Sequence, residues 1–186
     1  MKGVGVAVAL AVFALDGPCV DRRDDVSNRI VYRSPREFPL LSKAMVRDLD
    51  SRGCRISQPP DLPATANVIK GHFARMGQTD TAVLCSRYDE ATIIVFWGGP
   101  ARCPSVLAAS AGFAAAHPLP EIEGDEDEYP RRITAVDIHY IEQHRDWYGG
   151  PEPQGPPKDG IDDGAGMVST VHYCVDGAWT ELQGAD

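Results

Sequence analysis

The chain reads as an α+β protein: a single antiparallel sheet of five to six strands with two helices packed on one face. Three observations predict this. Two pairs of β-branched or aromatic runs are joined by short polar turns, Ala82–Cys85 with Ala91–Trp97 and Met167–Val175 with Ala178–Leu182. Two segments, Pro39–Arg52 and Asp137–Trp147, carry apolar residues at helical spacing. The run Ala91–Trp97 is apolar on both faces, as a central strand covered by a helix is.

Met1 and Lys2 precede GVGVAVALAVFAL, a basic start followed by about a dozen apolar or small residues, the pattern of a secretory leader. That run is shorter than the ~20 apolar residues needed to span a bilayer, and Asp16, Gly17 and Pro18 break it, so no permanent membrane span is expected. We assign residues 1–18 to a signal peptide and expect an exported protein, periplasmic or extracellular; the other reading is a buried strand over residues 4–14. Cys19 invites lipidation, but Pro18 stands where a small residue is required. Residues 19–38 alternate charge and proline and are expected to form a flexible lead-in to one domain over residues 39–186.

The first helix is placed over Pro39–Arg52, with Leu41, Met45 and Leu49 every four residues and Gly53 as its stop. Cys54–Ile56 reads as a short strand, the proline-interrupted QPPDLPATA as a connector, and Asn67–Phe73 as extended. After the hairpin built on RYDE, Cys103–Ala116 reads as a loose helix and Leu119–Ile122 as an edge strand. Arg132–Val136 is a strand, Asp137 caps the second helix with Ile138 and Ile141 buried, and GGPEPQGPPKDG is a surface loop. Asp176-Gly177 turns the closing hairpin, with Met167, Val171, Tyr173 and Val175 on the inner face.

The formal net charge of −9, without a basic stripe, excludes nucleic acid as an expected partner. With Cys19 set aside, Cys54, Cys85, Cys103 and Cys174 allow three pairings in an oxidising compartment. Cys54 with Cys85 and Cys103 with Cys174 is the favoured one, and four buried free thiols is the alternative.

The stretch GHFARMGQTDTAVLCS followed by TIIVFWGG resembles one FG-GAP unit: a glycine turn, an aspartate, then two apolar strands. That family binds calcium through a carboxylate-rich loop. On this chain the corresponding stretch, His72–Asp80, keeps only Asp80, so the resemblance carries over no calcium site. Gly77 and Asp80 are read as turn residues. With Gly53-Cys54-x-Ile56-x-Gln58 and Trp179-x-x-Leu182-x-Gly184-Ala185-Asp186, the chain from residue 39 onward is similar to small exported bacterial proteins of uncharacterised function. The resemblance implies export and a single domain and names no activity.

His139 and His144 flank Glu142, but five residues of separation turns them about 140° apart on a helix, too far to share one zinc ion. Cys85 with His72 is the one cysteine–base pair brought close by this reading. The acidic residues Glu121, Glu123, Asp125, Glu126, Asp127 and Glu128, with Asp159, Asp162 and Asp163, would attract divalent cations if their loops met; they are read as solvated. Trp147 and Tyr148 offer an aromatic surface to a protein or glycan, although packing onto the sheet is favoured for them. No residue is assigned as catalytic, metal-binding or cofactor-binding, and no cofactor is implied. The expected function is a monomeric, exported binding or envelope-associated module. The alternatives are a small hydrolase using Cys85 or a His/carboxylate pair, and a calcium-stabilised module.

Overall fold

The computed structural model describes residues 30–59, 63, 65–87, 90–107, 131–150, 152–153, 158–165 and 168–184. The leader, Cys19, residues 108–116 of the helix expected over Cys103–Ala116, the strand Leu119–Ile122 and the acidic run to Glu128 lie outside them; the described start of that expected helix is corrected, since Val106–Leu107 pair as a strand with Ile93–Ile94. The described residues are mostly β, and the single sheet expected from the sequence is corrected to three separate antiparallel sheets. A two-stranded sheet pairs β1 (Val31–Arg33) with β2 (Ile56–Gln58). A first four-stranded sheet has the order β3 (Val68–Gly71), β4 (Asp80–Arg87), β5 (Glu90–Phe96) and β6 (Val106–Leu107). A second has the order β7 (Arg132–Val136), β8 (Gly160–Ala165), β9 (Val168–Val175) and β10 (Ala178–Gln183).

The strands alternate, so each four-stranded sheet has two faces to cover. Ala82, Leu84, Ile93 and Val95 of the first sheet meet Ile133 and Ile161 of the second in one shared core. On the opposite side of the first sheet, Val83, Cys85 and Ile94 pack under Leu49 of α1 (Lys43–Ser51), with Phe38 and Leu41. The far side of the second sheet, through Val171, Tyr173 and Leu182, packs under Ile141 of α2 (Ile138–Tyr148). The two helices thus cover outward faces of different sheets, not one face of one sheet. The double-sided apolarity of Ala91–Trp97 follows: β5 has a helix on one side and a second sheet on the other.

Local chemistry explains the helix ends. Ser42 caps α1 by accepting a hydrogen bond from Met45 N at 3.3 Å, so the helix starts after Pro39 and Leu41, and Leu41 joins the core from outside it. At the other end Cys54 N donates to Leu49 O at 3.0 Å and Gly53 N to Asp50 O at 3.0 Å, with Gly53 at φ 71°, a Schellman closure. In the stretch expected to lead loosely into the domain, Val31–Arg33 forms β1 and Phe38 is buried. Asp137 caps α2 through Tyr140 N at 2.9 Å. Asp176 and Gly177, at φ 49° and 90°, make the two-residue turn between β9 and β10.

Strand β8 has no counterpart in the sequence reading. Its residues, Gly-Ile-Asp-Asp-Gly-Ala, are poor strand formers, yet it pairs with both β7 and β9. Gly160 lets α2 lie close to the strand: a Cβ there would stand 3.1 Å from Ile141 Cδ1 and from Val171 Cγ1, tight enough that these side chains would have to shift. On the inward face, Asp163 accepts two bonds from Arg131, from Nε at 2.7 Å and Nη2 at 2.6 Å, with the side chains only 6% and 4% exposed. Arg131 Nη1 also reaches Ala91 O of the first sheet at 2.7 Å. Asn67 makes a second tie: its Nδ2 donates to Ser57 O at 2.9 Å and its Oδ1 accepts from Ile133 N at 3.0 Å. Asp163, Arg131 and Asn67 are thus partnered across the sheet boundary, which is what permits their burial.

Cys54 is bonded to Cys85 and Cys103 to Cys174, with Cα–Cα separations of 5.3 and 6.0 Å. The bridges close loops of 31 and 71 residues, which restrains the unfolded chain by roughly 4 kcal/mol each on the chain-entropy view.

Candidate binding surface

Helix α2 displays an aromatic surface at its C-terminal end. Its buried stripe runs through Ile141 and His144. At 100° per residue Trp147 lies about 120° around the helix from Ile141, so the ring is carried off the sheet. Trp147 is 63% exposed and Tyr148 40% exposed, which corrects the expectation that they pack onto the sheet. The two rings meet edge to face at 6.5 Å, and Trp147 leans on His144 at 5.4 Å. His144 in turn stacks on Tyr140 at 3.9 Å, and its Nδ1 lies 2.9 Å from Tyr140 O. The chain ends the helix at Gly149, whose N donates to Arg145 O at 2.8 Å.

The same helix end carries charged groups. Arg145 Nη2 bonds Asp146 Oδ1 at 2.8 Å and its Nη1 lies 3.9 Å from Glu152 Oε1. The Asp146 hydrogen bond, with the nearby carboxylates, outweighs desolvation and holds the Arg145 guanidinium above its ordinary range. Further along the helix, burial and the Asp162 carboxylate push the Tyr140 phenol up, outweighing a bond with Ser169. Flat apolar rings, one of them most exposed, thus stand beside charged hydrogen-bonding groups at a helix end fixed by a core stripe beneath.

The remaining sequence-predicted residues go elsewhere. His139 is solvent-facing, 4.0 Å from Glu142, while His144 is buried, so the helix puts the two histidines on different sides. Cys85 is consumed in the bond to Cys54 on the helix side of the first sheet. His72 instead meets Asp159: Asp159 Oδ2 accepts from His72 N at 2.7 Å and lies 3.2 Å from Nδ1. Asp80 is fully buried, accepting from Gln78 Nε2 and Gly98 N at one oxygen and from Ala74 N at the other, so its carboxylate organises the turn before β4.

The three carboxylates Asp159, Asp162 and Asp163 do not gather into one loop. Asp159 holds His72, Asp163 points between the sheets to Arg131, and Asp162, its neighbour on an alternating strand, points to the α2 side near Tyr140. Among the described residues no group of three or more His, Cys, Asp or Glu side chains is placed to share a metal ion, and no described helix is long and apolar enough to cross a membrane. Sequence reasoning missed Arg131 and His172. His172 is buried between the sheets, its Nε2 3.7 Å from Asp163 Oδ2 and its Nδ1 3.6 Å from Glu181 Oε1. Once β8 is recognised as a strand, the alternation Ile161-x-Asp163 is the signal that an acid faces the core and needs a buried base.

The chain matches no protein-family model, no curated protein and no solved structure.

Proposed function

We propose that the chain is an exported, non-catalytic binding module of the cell envelope that recognises a glycan through the aromatic end of α2. The observation carrying this reading is Trp147: a large ring, 63% exposed, at the end of α2 and edge to face with Tyr148, on a helix end that also carries Arg145 and Asp146. The flat apolar face of such a ring matches the C–H face of a sugar ring, while a carboxylate and a guanidinium at the same helix end take up hydroxyls. The two disulfides support an oxidising compartment, and the leader over residues 1–18 supports export.

The test is co-sedimentation of the purified chain with insoluble peptidoglycan and chitin, and fluorescence titration with their soluble oligosaccharides. Trp147→Ala is expected to weaken binding at least about tenfold, a loss of about 1.4 kcal/mol, without moving the unfolding midpoint, because the ring is outside the core. Absence of binding to every glycan, or equal binding by W147A, refutes the proposal. A second reading, a small hydrolase, draws on the His72–Asp159 pair with Nδ1 3.2 Å from Oδ2. It requires turnover in a broad esterase and amidase screen that disappears in His72→Ala.

A further inference from the structure

His144, only 6% exposed, brings a polar atom to the aromatic surface of α2. Its Nδ1 lies 2.9 Å from Tyr140 O, one turn back along the helix. A carbonyl oxygen only accepts, so Nδ1 carries the proton and donates it. In the neutral ring the other nitrogen, Nε2, is then a lone pair that accepts. Nε2 has no hydrogen-bond partner among the described residues, yet it is not sealed from solvent as the orphaned Nδ1 of His172 is.

Three rings of the same helix lie against this imidazole. It stacks on Tyr140 at 3.9 Å with 21° between the planes, and the rings of Trp147 and Tyr148 are centred 5.4 and 6.0 Å away. Nε2 is the ring nitrogen farther from the helix backbone, so its lone pair stands on the outer edge of the imidazole, beside those two exposed rings. Tyr140 is itself held by a hydrogen bond with Ser169 of β9, and Ile141 buries the helix against the second sheet. The direction of the acceptor is therefore set before a ligand arrives.

We propose that this arrangement selects 2-acetamido sugars, with His144 as the specificity-determining residue; the proposal rests on the glycan reading of the Trp147 surface. Such a sugar offers three groups side by side. Its C–H face lies on the Trp147 ring, its amide N–H donates to His144 Nε2, and its acetyl methyl covers the Tyr148 ring. An amide N–H only donates and a neutral Nε2 only accepts, so the contact leaves neither group with unused capacity. A plain hydroxyl at the same carbon would keep its own lone pairs, stripped of water beside two aromatic rings.

Fluorescence titration of the full chain with β-1,4-linked oligomers of N-acetylglucosamine and of glucose, which differ only in the substituent at carbon 2, tests it. The wild type should bind the acetamido oligomer at least about tenfold more tightly. His144→Phe keeps a stacked ring and removes the acceptor, and should cut that preference at least about fivefold, the size of one hydrogen bond. Nitrogen NMR of the imidazoles in the wild-type chain needs no variant. It should show His144 protonated at Nδ1 and not at Nε2, with the Nε2 signal moved by the acetamido oligomer and not by the glucose oligomer. A neutral ring protonated at Nε2, an Nε2 signal unmoved by either oligomer, or an undiminished preference in H144F overturns the proposal. Equal binding of the two oligomers, lost in W147A, overturns it and leaves the glycan reading standing. Binding of neither oligomer overturns it, and the glycan reading with it when peptidoglycan and chitin are also left unbound.

Discussion

In the β3–β6 sheet, the central strands β4 and β5 bury apolar side chains on both faces, Val83 and Ile94 toward α1 and Leu84, Ile93 and Val95 toward the other sheet. In the β7–β10 sheet, the central strand β8 reads Gly-Ile-Asp-Asp-Gly-Ala, and its inward face carries Asp163 against Arg131 and His172. One sheet is held at its centre by dispersion and the exclusion of water from apolar surface. The other adds to Ile133 and Ile161 of the shared core a buried ion pair, Asp163 accepting two bonds from Arg131. A strand therefore needs no apolar run to be central where its inward acid is partnered, as Asp163 is by Arg131, and a glycine, Gly160, faces the helix above it.

The comparison breaks most sharply at Asp163. Asp163→Ala strands a 4% exposed Arg131 without its bidentate acceptor, and we expect a loss of about 3–5 kcal/mol in denaturant unfolding at neutral pH. A loss under 1 kcal/mol would mean that the pair is dispensable. On the apolar side, Leu84→Ala is expected to destabilise by about 3 kcal/mol, since a fully buried side chain between the sheets is removed and a cavity is left. If the loss were negligible, the shared core would not be close-packed there.

The smallest effect, and the one that sharpens the comparison, is in pH. Burial raises the Asp163 carboxyl, but Arg131 and the nearby His172 outweigh it, so the net position is below the ordinary carboxylate range. A group depressed in the folded state stabilises fully above its unfolded pKa, about 3.9, and loses that contribution as pH falls through the folded value. Stability should thus drop below about pH 4. Arg131→Met/Asp163→Leu, which replaces both charges with apolar volume, should stay within about 2 kcal/mol of the wild type at pH 7 and show a shallower acid dependence. An unchanged acid slope would assign the pH effect to other carboxylates.

These two sheets also differ in how much of them could be read in advance. The β4–β5 hairpin, β7, and the β9–β10 hairpin are visible as β-branched or aromatic runs with turn residues between them, and α2 is announced by Asp137 and its apolar spacing. The favoured cysteine pairing coincides with the two bridges. β8 was invisible because glycine and aspartate are ordinarily turn residues, and β1 because Val31–Arg33 sits in a charged, proline-broken stretch. At the candidate surface, Trp147 and Tyr148 were legible as an aromatic pair. Their exposure was not, since it depends on where the sheet beneath α2 ends and on the angle between Ile141 and Trp147.

By itself the sequence determined part of the local structure: the β4–β5 and β9–β10 hairpins, the body of each helix, the Asp137 cap and the stops at Gly53 and Asp176-Gly177. Those features depend on contacts within a few residues, where side-chain periodicity and turn chemistry are decisive. Only the tertiary structure decided that there are two four-stranded sheets sharing a core, that a helix covers the outer face of each, and that Asp163 meets Arg131 at its centre. Sheet membership follows from which apolar faces remain to be covered after the hairpins form. Many pairings are compatible with the same local pattern, and burial across long loops selects among them.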